Sequence, residues 1–82
     1  MQELQQRYIY ATNKKDWEKL LLVLNSYLER DRDYYWEGSE CQYIRILTSI
    51  IDFRYGWCTL NEMKNRVEGH TKLDLKEFLT KY

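Results

Sequence analysis

Residues 39–56, SECQYIRILTSIIDFRYG, must lie at the centre of whatever this chain builds. Ile44, Leu47, Ile51 and Tyr55 recur at spacings of three and four, and Tyr43, Ile46, Ile50, Phe53 and Trp57 form a second stripe beside them. Gln42, Arg45, Ser49 and Asp52 leave only a narrow polar face. Ser39, with Gln42 three residues on, fits a capping box, and Gly56 fits a C′ glycine. A helix that is apolar over most of its circumference is the buried centre of a bundle. The expectation is therefore a central helix over residues 39–55, from its cap at Ser39 to Tyr55.

The flanking segments read the same way. There is no proline, and Gly38, Gly56 and Gly69 each follow an apolar-periodic segment, where a helix C′ glycine sits. No run alternates with period two over a convincing length, so no strand is expected. A first helix is expected over residues 2–11, with Met1, Leu4, Tyr8 and Ala11 on one face. A second is expected over residues 14–34, capped by Thr12 or Asn13, with Trp17, Leu20, Leu21, Leu24, Tyr27 and Leu28 as its core stripe. Thr59 and Glu62 form another capping-box pattern, opening a short helix over residues 60–68. Thr71 then caps a last helix carrying Leu73, Leu75, Phe78, Leu79 and Tyr82. The expected fold is all-α: a compact bundle of four to five helices, one domain over residues 1–82.

Charge and cysteine usage narrow the function. Thirteen basic residues balance thirteen acidic ones, which argues against a general polyanion binder and against a DNA mimic. The N-terminal residues MQELQQRY lack an apolar signal region, and the longest apolar run, residues 20–24, is far below the roughly 20 residues of a membrane span. Basic residues are not gathered on a polar helix face, so membrane-surface binding is not expected either. The expected location is cytoplasmic. On one helix, Cys41 and Cys58 would lie about 25 Å apart at about 1.5 Å per residue, so both are expected to be reduced and packed as small apolar groups.

No catalytic pattern stands out. His70 is the sole histidine, Cys58 lies twelve residues before it, and neither sits in a nucleophile elbow or a phosphate-binding glycine loop. Cys41, Cys58 and His70 lack the paired spacing of a zinc site. Neither an enzyme, a metal nor a cofactor is expected.

Two segments are candidates for binding. Residues 30–37, RDRDYYWE, concentrate the side-chain types that dominate protein interfaces. Arg30, Arg32, Tyr34, Tyr35 and Trp36, joined by Trp57, are the expected partner-binding residues, although the same rings would serve equally to close one end of a bundle. Residues 59–82 read as helix, glycine turn, helix, and a helix-turn-helix would present Lys64, Arg66, His70, Thr71, Lys72 and Lys76 to DNA. That segment carries five basic and four acidic residues, 5 − 4 = +1, which is little for phosphate binding. The function expected first is a protein-binding module that regulates or inhibits another protein, as an inhibitor, immunity factor, antitoxin-like partner or adaptor. A DNA-binding regulator is the alternative. A homodimer or larger self-assembly through the aromatic patch is the third. In length and expected helical content the chain is similar, as a class, to small phage- or plasmid-borne regulators and bacteriocin immunity bundles, and no residue role carries across from them.

Overall fold

A computed structural model describes residues 3–82 and gives a mixed α/β fold in place of the all-α bundle. The elements run β1 (Arg7–Ala11), α1 (Lys14–Asn25), β2 (Cys41–Ser49), β3 (Asp52–Cys58), α2 (Leu60–Arg66), β4 (Thr71–Lys72) and α3 (Leu75–Lys81). The strands form one sheet in the order β3-β2-β1-β4. β2 pairs antiparallel with both β1 and β3, and β4 pairs parallel with β1.

The expected central helix is a β-hairpin. Ile44 and Ile46 point into one core cluster, while Cys41 and Tyr43 point into another on the opposite face. A strand buried on both faces is apolar throughout, and periodicity alone cannot separate it from a buried helix. The side-chain types decide it. Tyr, Ile, Thr, Phe and Trp crowd residues 43–57, and β-branched and aromatic side chains favour the pleated sheet. In β3, moreover, Phe53, Tyr55 and Trp57 alternate strictly with Arg54, Gly56 and Cys58. The helix expected over residues 2–11 is replaced by β1 for the same reason, Met1 and Gln2 lying outside the described residues.

The sheet is covered on both faces. On one, Ile9, Ala11, Ile44 and Ile46 pack against Trp17, Leu20 and Leu24 of α1, Phe78 of α3 and Leu73. Burying each large side chain of this kind contributes roughly 1.5–3 kcal/mol. On the other, Cys41, Tyr43 and Cys58 pack against Met63 and Val67 at α2. Two helix starts follow the sequence pattern. Asn13 caps α1 by accepting from the Asp16 amide at 2.8 Å, and Thr59 and Glu62 make both bonds of the capping box on α2. The last helix is capped by Asp74, because Thr71 is taken up in β4.

The second helix stops at Asn25 rather than running to residue 34. Asn25 Oδ1 accepts from the Arg32 amide at 2.8 Å and turns the chain back. Residues 31–37 then form an extended strap. Trp17 Nε1 donates to the Tyr34 carbonyl at 2.5 Å, and Gln42 Nε2 donates to the Tyr35 carbonyl at 3.1 Å. The Glu37 amide donates to Gln42 Oε1. Gln42 is the one fully buried polar side chain among the described residues, and the strap satisfies it.

Candidate functional site

An extended chain points alternate side chains to opposite sides. Along the strap this sends Tyr34 and Trp36 inward against the sheet core and leaves Tyr35 outside, 70% exposed. Tyr34 lies flat on Tyr55, with ring centroids 4.1 Å apart and planes within 6°. The aromatic cluster expected as one binding surface is thus divided: Tyr34 and Trp36 hold the strap down, and Tyr35 faces solvent. Trp57, 47% exposed, stands beside Tyr55 at a centroid distance of 5.5 Å. The Tyr55 hydroxyl and Gln42, the register partner of Trp57, both reach the Tyr35 carbonyl, so the strap backbone is bonded to the strands at this end. Tyr35 lines a hollow with Lys14, Glu18 and Leu21, and Trp57 lines one with Tyr43, Gly56 and Arg66. Arg30 and Arg32 are exposed at the far end of the connection, where they line an open hollow of about 490 Å³ with Tyr27, Leu28, Glu29 and Ile51.

Trp57 also belongs to the sheet's outer strand. Among the described residues, no backbone hydrogen bond from another segment reaches the outer side of β3. The Phe53 carbonyl is met only by Nη1 of the neighbouring Arg54, at 3.3 Å. Sequence reading missed this edge because it assigned the segment to a helix.

Residues 59–82 form helix, strand, helix. α2 and α3 lie on opposite faces of the sheet with β4 between them, which is not the geometry of a helix-turn-helix. Lys64, Arg66, Thr71, Lys72 and Lys76 are exposed. His70 is half-buried; its Nδ1 lies 3.3 Å from the Glu68 carbonyl, and its Nε2 is enclosed without a partner. Strand register brings some of these residues together with others that sequence reading missed. Lys72 lies beside Tyr8, Tyr8 opposite Arg45, and Arg45 opposite Arg54. These four sit on adjacent strands, which at about 4.8 Å per strand makes a row roughly 14 Å long. Lys72 Nζ lies 5.3 Å from the Tyr10 ring centroid. Arg66 joins from α2, donating to the Tyr43 hydroxyl at 3.4 Å and receiving Arg45 Nη1 on its carbonyl at 3.1 Å. Among these cations only Arg54 has a carboxylate within reach, Asp52 at 3.9 Å. Net neutrality conceals this segregation. Arg45 and Arg54 are nine residues apart in sequence and meet only once the hairpin is folded.

The cysteines are the sharpest correction to the expected geometry. Cys41 and Cys58 are direct cross-strand partners, with sulfurs 3.9 Å apart, and both are free thiols. Burial, reinforced by the neighbouring Cys58, pushes the Cys41 thiol up to about 11. Among the described residues no group of three or more His, Cys, Asp and Glu side chains is placed to hold a metal ion.

No protein-family model matches this chain, and neither does any curated protein or solved structure. Among the described residues, no helix is long and apolar enough to cross a membrane.

Proposed function

We propose that this chain is a protein-binding module that takes an extended segment of its partner along the free edge of β3, with Trp57 and Tyr35 as anchors. The observation that carries the reading is a seven-residue edge strand, unpaired on its outer side, that carries the exposed Trp57, with the exposed Tyr35 on the strap bonded to Gln42 and Tyr55. An open edge supplies a row of unpaired amides and carbonyls, and strand addition uses them for affinity while side-chain pockets set specificity. Tyr and Trp add large contact area at low entropic cost. Arg30 and Arg32 orient acidic groups of the partner, and occupancy of the edge regulates or inhibits the partner's activity.

The test is capture of partners from a nuclease-treated lysate of the native cells, comparing the wild-type chain with the double variant Trp57→Ala/Tyr35→Ala. The expected result is a stoichiometric protein partner that the variant, still folded, retains at least tenfold less well. A partner held equally by both forms removes Trp57 and Tyr35 from the site.

Two further readings each rest on one observation. The Lys72–Tyr8–Arg45–Arg54 row favours a nucleic-acid ligand on the opposite sheet face, since cations interleaved with an aromatic ring suit a single strand. Self-assembly is favoured by the spacing of Asp52 and Arg54: two β3 edges paired antiparallel about Phe53 set each Asp52 opposite the other copy's Arg54. Sedimentation as a dimer without any other partner would select that reading.

A further inference from the structure

The described residues contain three sulfur atoms, those of Cys41, Cys58 and Met63, and all three meet in one cluster. They come from three different elements or their ends: β2, β3 and α2. Cys41 Sγ lies 3.9 Å from Cys58 Sγ and 3.6 Å from Met63 Sδ. We propose that Cys41, Cys58 and Met63 form a binding site for a soft monovalent cation of the Cu(I) type.

The chemistry follows from the donor set. Thiolates and thioethers are soft ligands that select Cu(I) over harder cations, whereas a thioether contributes little to a zinc site. With metal–sulfur bonds of about 2.3 Å, simple geometry places the sulfurs about 4.0 Å apart in a trigonal site and about 3.8 Å apart in a tetrahedral one. The two separations from Cys41, 3.9 and 3.6 Å, lie within about 0.4 Å of these values. Both strands hold the thiols in fixed register, and α2 closes over them with Met63. Cys41 is fully buried, while Cys58 and Met63 keep 7% and 6% of their surface exposed, so the route in runs along the margin of α2.

Binding replaces the two thiol protons, which pass to solvent, with one monovalent cation, leaving a site of charge −1 and changing no oxidation state. Arg66, close enough for its guanidinium to interact favourably with Cys58, offsets that charge. Binding is pH-dependent, because the proton and the cation compete for the same sulfur.

The test is anaerobic titration of the reduced chain with Cu(I) held as its bicinchoninate complex, read by loss of the complex's colour and by native mass spectrometry. The expected result is one Cu(I) withdrawn per chain. Cys41→Ser and Cys58→Ser should each lower affinity at least 100-fold, and Met63→Leu, which keeps the volume and removes the sulfur, about tenfold with an unchanged melting temperature. Failure to withdraw Cu(I), or withdrawal untouched by Cys58→Ser, overturns the site. Withdrawal unaffected by Met63→Leu overturns the three-sulfur assignment. A mass 2 Da lower with no metal retained identifies an oxidisable dithiol instead and also overturns it.

Discussion

Gly56 sits directly across the hairpin from Tyr43, and the Tyr43 ring occupies the space that a Gly56 side chain would need. A Cβ built at residue 56 would lie 2.9 Å from Tyr43 Cε2 and closer still to its Cζ and hydroxyl. The glycine is there for close approach across a sheet, not to end a helix. Gly56→Ala should destabilise the fold by about 1–3 kcal/mol, the range for overpacking a filled site. The double variant Gly56→Ala/Tyr43→Ala should cost clearly less than the sum of the two single changes in denaturant titrations. Strict additivity would refute the contact.

Gln42 ties the strap to the sheet through two bonds, to the Tyr35 carbonyl and the Glu37 amide, and makes a third within the sheet to the Tyr55 hydroxyl. Gln42→Leu fits the volume but abandons those partners under the strap. An unsatisfied buried polar group costs about 1–3 kcal/mol. The expected outcome is a lower melting temperature together with faster tryptic cleavage after Arg30 and Arg32. An unchanged cleavage rate would mean that Trp17 and the Tyr34–Tyr55 stack hold the strap unaided.

Burial, reinforced by Glu37 and Tyr34, pushes the Tyr55 hydroxyl up to about 12. A raised folded-state value means that the native chain keeps this proton while the unfolded chain loses it near pH 10. The associated stability is therefore fully present below pH 10 and is lost as pH rises towards 12. Burial and Glu3 also raise Tyr82. Tyrosinate absorbance should therefore show more than one ring titrating late, and Tyr55→Phe should remove one of these components and flatten the stability profile between pH 10 and 12. A late component undiminished in Tyr55→Phe assigns the shift elsewhere.

For the basic row, Arg54→Glu/Lys72→Glu changes two exposed side chains and should leave folding intact. If a single-stranded oligonucleotide binds there, three phosphate contacts imply a slope of about −2 in log affinity against log salt, or roughly a 20-fold loss between 50 and 200 mM. Fluorescence anisotropy of a labelled oligonucleotide should show that slope in the wild type and no binding in the variant. Equal binding by the two forms excludes this face.

Local signals were legible in the sequence, and the architecture was not. Asn13 and the Thr59–Glu62 pair mark helix starts because capping is satisfied within four residues. Ser39 and Gln42 spell the same pattern, but Gln42 is committed to the strap and its neighbours to a sheet. Ile44, Leu47 and Ile51 fit a helical spacing by coincidence, since apolar residues are dense enough around them to match either period. The better signal was the strict alternation from Asp52 to Cys58, hidden by a glycine that reads as a terminator. The candidate site suffered in turn: without the hairpin, neither the β3 edge nor the meeting of Lys72, Arg45 and Arg54 could be seen. Of the strap, Tyr34 and Trp36 carry the same residue types as exposed hot spots, and only the extended backbone separates them from Tyr35.

The parallel pairing of β4 with β1 has a consequence for synthesis. Thr71 and Lys72 are clasped by the Arg7 guanidinium, which donates to the Thr71 carbonyl at 3.2 Å and to the Lys72 carbonyl at 2.9 Å. Leu73, next in the chain, fills the core that Ile9 opens. During translation, β1 emerges first and must wait for nearly all of the remaining chain before its second neighbour exists. At roughly 5–20 residues per second, that interval is on the order of several seconds to over ten. For that period an apolar strand stands with one side open, so nascent chains are most exposed to mispairing before β4 leaves the ribosome.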